Sequence, residues 1–272
     1  MQLIYFALLA ALIAPRATFA APRPALAAPR STFAPRPTIE TIRRVAKRSP
    51  NGTSVVLTSI YRYGVDSLGR RGFLDSEGHP YTGTDTFVFR LAEALRQIED
   101  GGPNGHALIN YLDNAPHVTQ IVPAPNDEAD TDHGDFIHWN PDSDRGAPDE
   151  RGGNYRPAFV GLAHELAHIS DVWMGTINRS TWKVLPGEED QLIEVPYAEL
   201  YATRIENKIR AENGIPLRVS YASGIFNPEG ARHFVDAASL LLRPGTRQSL
   251  YYNCHGYTTY HKLNKRELPE TY

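Results

Sequence analysis

The chain has 272 residues, 41% hydrophobic and 22% charged, with a formal net charge of −3 and one cysteine, Cys254, which excludes any framework of intrachain disulfides. Residues 1–48 hold eight Lys or Arg against Glu40 alone, so residues 49–272 carry a net charge of −10. Such an acidic domain argues against nucleic acid or an anionic membrane as partner, since both favour clustered Lys and Arg, and it leans mildly toward basic substrates.

Gln2 to Ala14 is an apolar run too short to span a bilayer comfortably, with small residues following at Thr18 and Ala20. It predicts a secretory signal peptide over residues 1–20. Residues 15–37 repeat PRATFAAPRP as PRSTFAPRP, and this Ala-, Pro- and Arg-rich composition predicts an extended linker. Arg43-Arg44 and Lys47-Arg48 then suit a processing protease, so residues 21–48 read as a linker or the propeptide of a zymogen. Two N-glycosylation acceptors, at Asn51 and Asn178, fit a secretory route. Residues 49–272 are long enough for one domain with its own core.

Within that domain, β-branched Thr53 to Ile60 predicts a strand, and Tyr61 to Gly83 a loop with a possible hairpin. Thr84 or Asp85 caps a helix in which Phe87, Leu91, Leu95 and Ile98 recur at helical spacing before Gly101-Gly102 stops it. A shorter helix is expected over His106 to Leu112. Strands over His117 to Val122 and Phe136 to Trp139 flank an acidic loop, Asn126 to Asp135, and offer a sheet edge to an extended substrate. The loop Asn140 to Asn154 leads into PAFVGLAHELAHISDVWMG, Pro157 to Gly175.

That last stretch contains His164-Glu165-Leu166-Ala167-His168, an HExxH pattern expected by accident about 0.02 times in a chain of this composition. On a helix the histidines stand one turn apart with a carboxylate beside them, while Phe159, Leu162, Ala163 and Leu166 form a stripe roughly opposite. The pattern points to zinc held by His164 and His168, with Glu165 as general base. Met174 stands where a metzincin would have its third histidine, which excludes that class. A second acidic helix, Gly187 to Glu194, is expected to supply a carboxylate instead.

These residues, followed by IENKIRAENGIPLRVSY from Ile205 to Tyr221, resemble the NleD-like family of effector zinc endopeptidases. The tract is similar also to the clostridial neurotoxin light chains, in which HExxH, a Glu-Glu pair and Arg-x-x-Tyr build the site. The resemblance implies an α+β, zincin-like fold with a small mixed sheet. It implies zinc on His164, His168 and Glu188, with Glu189 orienting a ligand histidine or serving as an alternative ligand, and Glu206 as a weaker alternative. Arg218 and Tyr221 match the Arg-x-x-Tyr pair and would stabilise the tetrahedral oxyanion while Glu165 moves the proton. Glu194 stands where the light chains have a glycine.

The expected protein is thus a monomeric, secreted zinc endopeptidase, a toxin or effector acting on a protein substrate of another cell. Two other readings remain open. One is a catalytically silent binding protein on the same scaffold; the other is a thiol hydrolase using Cys254 beside His255, although adjacency in sequence does not build a catalytic pair. The Tyr-rich tail around Tyr251 is expected to pack as a final helix and an irregular segment.

Overall fold

The computed structural model describes residues 39–48, 54–186, 192–223 and 236–272. The predicted signal peptide, most of the predicted linker, Asn51, and both Glu188 and Glu189 lie outside the described residues.

A mixed six-stranded sheet is built from β1 (Ile39–Arg48), β2 (Ser54–Val65), β3 (Arg71–Leu74), β4 (Thr119–Pro123), β5 (Glu128–Ala129) and β6 (Phe136–Trp139), in the order β3-β2-β1-β4-β6-β5. β1 runs antiparallel to β2 and parallel to β4, and β4 runs parallel to β6, whereas β5 returns antiparallel to β6. Strand β1 falls inside the stretch that the sequence assigns to the linker. It pairs on both sides, so a cut after Arg48 would remove the strand that joins β2 to β4. Among the described residues the sheet extends back to Ile39, inside the stretch that the sequence assigns to the linker or propeptide. Ile39 and Thr41 are fully buried, and Thr41 Oγ1 donates to the Ile121 carbonyl at 3.1 Å.

Helices α1 (Thr86–Asp100), α2 (Pro103–Asn114) and α3 (Ala158–Trp173) share one core with the sheet, since Leu91, Leu95, Ile98, Ile109, Leu112 and Leu162 pack with Ile121, Ile137 and Trp139. Asp85 caps α1, its Oδ1 accepting from the Phe87 amide at 2.9 Å. Gly105 allows α1 and α2 to approach closely: a Cβ there would lie 1.8 Å from the Ile98 carbonyl oxygen. The N-terminus of α2 is closed by Glu212, which accepts from the Asn104 amide at 2.8 Å and the Gly105 amide at 3.2 Å.

Where a second acidic helix was expected, Leu192–Pro196 is a strand, β8, paired antiparallel with β7 (Thr181–Pro186). Branched Ile193 and Val195 suit a ladder better than a helix, and Val195 buries with Trp182 and Leu185 in a second, smaller core. Helix α4 (Ala198–Glu212) follows at once and joins both cores, through Leu200 in the smaller and Ile209 in the larger. The tail likewise differs from the expected helix: β9 (Gln248–Asn253) pairs with β10 (Pro269–Thr271), burying Tyr251 and Tyr252. Glu270 pins this hairpin to α4, accepting from Arg204 Nε at 2.6 Å and Nη2 at 2.8 Å, with Lys208 Nζ 3.0 Å away. Among the described residues no helix is long and apolar enough to cross a membrane.

Candidate active site

Helix α3 carries the HExxH residues, and its whole middle, Val160 to Asp171, is buried. Its start is fixed from the sheet, because Trp139 Nε1 donates to the Ala158 carbonyl at 3.0 Å. The histidines therefore do not face solvent across from an apolar stripe; they face α4. One turn apart, their rings meet edge to face with centroids 4.9 Å apart.

On α4, Glu199 and Glu206 are seven residues apart, two helical turns, and so share the face turned to α3. Glu199 reaches both histidines: Oε2 lies 3.1 Å from His164 Nε2, and Oε1 lies 3.2 Å from His168 Nε2. Glu206 sits on the other side of the first ring, with Oε2 3.0 Å from His164 Nδ1. The contact of Nδ1 with Glu206 fixes the ring so that Nε2 is directed toward Glu199. His168 Nδ1 is buried without a hydrogen-bond partner among the described residues.

Glu206 is completely buried and is held by two arginines. Arg210 Nε donates to Oε1 at 2.8 Å, and Arg218 Nη1 donates to Oε2 at 3.0 Å. Burial alone would raise the Glu206 pKa, but Arg210, Arg218 and His164 hold it well below the usual carboxylate range. Glu199 is likewise held low, its burial outweighed by hydrogen bonds with His164 and His168. Burial would lower the His164 pKa, yet the contacts with Glu199 and Glu206 carry it up to about 9.

Glu165 is buried among these groups, and burial raises its pKa against the lowering effect of His164 and His168. The other two expected residues arrive on a segment clamped to α4. Asn207 Nδ2 donates to the Arg218 carbonyl at 3.0 Å, and the Arg218 amide donates to Asn207 Oδ1 at 2.8 Å. Besides Glu206, the Arg218 guanidinium donates to the Ser220 carbonyl at 3.2 Å and the Tyr221 carbonyl at 2.7 Å, and it lies 4.8 Å from the centroid of the Tyr221 ring. Burial and the nearby Glu199 charge push the Tyr221 phenol up, so it stays protonated and able to donate.

His164, Glu165, His168, Glu199, Arg218 and Tyr221 line one cavity of about 450 Å³, whose far wall includes Asp127 and Glu128 of the acidic loop. Five of these six were expected from the sequence, and Glu199 was missed. The available signal was its spacing from Glu206 on a second long helix, which the adjacent acids at 188 and 189 overshadowed. Cys254 is exposed at the end of β9 and is not among the residues lining this cavity. A second potential cation cluster, Asp130, His133 and Asp135, is partly exposed. There the Asp130 carboxylate already accepts from the amides of Asp132 and Asp135 within its own turn.

The donor set His164, His168 and Glu199 passes a test of fit. Its ligating atoms lie within 4.8 Å of one another. A tetrahedral zinc about 2.0–2.2 Å from each donor requires neighbouring donors roughly 3–4 Å apart, and the two His–Glu separations are 3.1 and 3.2 Å. Two imidazoles and one carboxylate are a donor set of catalytic zinc.

Among curated proteins no match to the chain was found. The model of one protein family, peptidase M91, described as effector protein, matches residues 75–221. That span runs from just before α1 to Tyr221, taking in α3, α4 and the Arg218-x-x-Tyr221 segment, and it is more than half of the chain. The chain accordingly belongs to the peptidase M91 family of effector proteins, the NleD-like family that its HELAH tract resembles.

Proposed function

We propose that this protein is a zinc-dependent endopeptidase, secreted and acting as an effector on a protein of another cell. The observation that carries this reading is the buried convergence of His164, His168 and Glu199 on one point, with Glu165 beside it in an open cavity. In this reading Glu199 completes the ligand set that the sequence alone suggested for Glu188.

Zinc in this site would supply Lewis acidity, making water nucleophilic near neutral pH and drawing charge from a peptide carbonyl. Glu165, its basicity raised by burial, accepts the proton released by the attacking water and returns it to the leaving amine. Tyr221 donates its phenolic proton to the oxyanion as a hydrogen bond. Arg218 is committed to Glu206 and to two backbone carbonyls, so its part is to position Tyr221 and His164. Glu206 holds the His164 ring in the tautomer and orientation that ligation needs. The free side of β5, at the edge of the sheet, offers an extended substrate backbone a strand to pair with.

The test is metal removal. Purified full-length chain is expected to cleave an unfolded protein substrate, to lose that activity on chelation, and to regain it with added zinc. Cleavage that persists through exhaustive chelation would reject the zinc reading. A chain that binds zinc but cleaves nothing would favour a silent binding protein.

A further inference from the structure

The acidic loop does more than close one side of the cavity. Its edge strand β5 pairs with β6 in a register that sets Glu128 opposite His138 and Ala129 opposite Ile137. Directly opposed residues share a face of the sheet, as do residues two apart along a strand. Ala129 and Ile137 thus turn to the helices and the core, whereas Glu128, His138 and Phe136 stand together on the outer face.

The other acids of the cavity are already engaged. Asp127 is paired with Arg156, Glu199 with the two histidines, and Glu165 is buried. The Glu128 side chain is 72% exposed, and among the described residues its charged contact is His138, with Nδ1 3.5 Å from Oε2. Beside it the Phe136 and His138 rings lie 5.0 Å apart, and Phe136 is 39% exposed, a large apolar side chain open to solvent. A carboxylate next to exposed aromatic faces suits one kind of ligand: a long side chain with an apolar stem and a cationic head.

An extended peptide paired with the free side of β5 turns alternate side chains to the two faces of the sheet. A side chain turned outward there crosses β5 beside Glu128, whose carboxylate reaches over β6 toward His138, with Phe136 on the same face. We propose that Glu128, Phe136 and His138 form a subsite for a lysine or arginine side chain of the substrate, placing a basic residue at one fixed position from the scissile bond. The proposal rests on the peptidase reading above. It assigns to Glu128, which lines that cavity, and to its two neighbours on the outer face a specificity that the metal-holding residues do not provide.

The test uses the zinc-loaded full-length chain and peptides that differ only by lysine, norleucine or glutamate at one position, compared in pairs and scanned across the cleavage site. Each enzyme is scored by the ratio of kcat/KM within a pair, so a general loss of activity cancels. The wild type is expected to favour lysine roughly three- to tenfold at one position, the size of a partly exposed ion pair with an aromatic contact. Glu128→Gln should bring that ratio close to unity, Glu128→Lys should make glutamate preferred there, and Phe136→Ala should lower the ratio for lysine. A flat wild-type profile with cleavage intact would overturn the subsite and leave the peptidase reading standing. A lysine preference that survives Glu128→Gln would do the same. Failure to cleave any peptide would remove the peptidase reading and the subsite with it.

Discussion

Glu165→Gln is expected to lower kcat/KM by roughly 10²- to 10⁴-fold, the range a positioned general base contributes, while leaving zinc content and melting temperature near those of the wild type. Glutamine keeps the shape of the side chain and its place beside His164 and His168 but cannot accept a proton. Glu165 contributes no ligand atom to the His164–His168–Glu199 set, so its neutralisation should not release the metal. Removing a buried negative charge next to two histidines alters their protonation in the metal-free protein, so the comparison belongs to the zinc-loaded forms. Steady-state kinetics with zinc quantified in the same samples would decide it. Activity within a few-fold of wild type would remove Glu165 from the proton-transfer role.

Glu206→Ala should be among the most damaging single changes to stability. It strands Arg210, completely buried, and Arg218, nearly so, without the carboxylate that both address. Arg210 keeps its bonds to the carbonyls of Tyr155 and Pro216, so it cannot swing out to water without breaking them as well. Leaving buried charge unpaired costs about 3–5 kcal/mol, which in a domain of this size is a fall of roughly 6–20 °C in melting temperature. The same substitution frees His164 Nδ1, so zinc affinity should drop by about 10- to 100-fold, as when the partner of a ligand histidine is lost. Thermal unfolding and a competition titration measure the two effects separately. An unchanged melting temperature would show that the three-residue ion cluster does not hold α4 to the segment ending at Tyr221.

The parts of this protein that are legible in the sequence are those where periodicity and chemistry agree. Helix α1 announces itself through Asp85 and the apolar residues at helical spacing, and β4 and β6 through short branched or aromatic runs. The HELAH helix is legible because its spacing has a chemical reason, although the burial of α3 on every side is not, since that depends on α4 packing over the histidines. Strand β1 is hidden by its basic residues, which read as a solvated linker; its place comes from backbone pairing to β2 and β4, a non-local fact. The start of β8, Leu192 to Glu194, reads as the end of a helix because acids next to a metal motif suggest ligands, while the branched Ile193 and Val195 favour pairing. Glu199 is hard to read from the sequence for the same reason. Two adjacent acids outweighed two acids seven apart, although only the latter spacing puts both carboxylates on the face of α4 that meets His164. β5, two residues inside an acidic loop, is too short to carry any period at all.

The central claim is that α3 and α4 together hold the metal, and zinc analysis of the full-length chain tests it most directly. Wild type, Glu199→Ala and Glu188→Ala would be purified, equilibrated against the same zinc buffer, and compared for bound zinc and for far-UV circular dichroism. About one zinc per chain is expected in the wild type and in Glu188→Ala, with the metal lost from a still-folded Glu199→Ala. Zinc retained by Glu199→Ala and lost from Glu188→Ala would contradict the account and make Glu188 the third ligand.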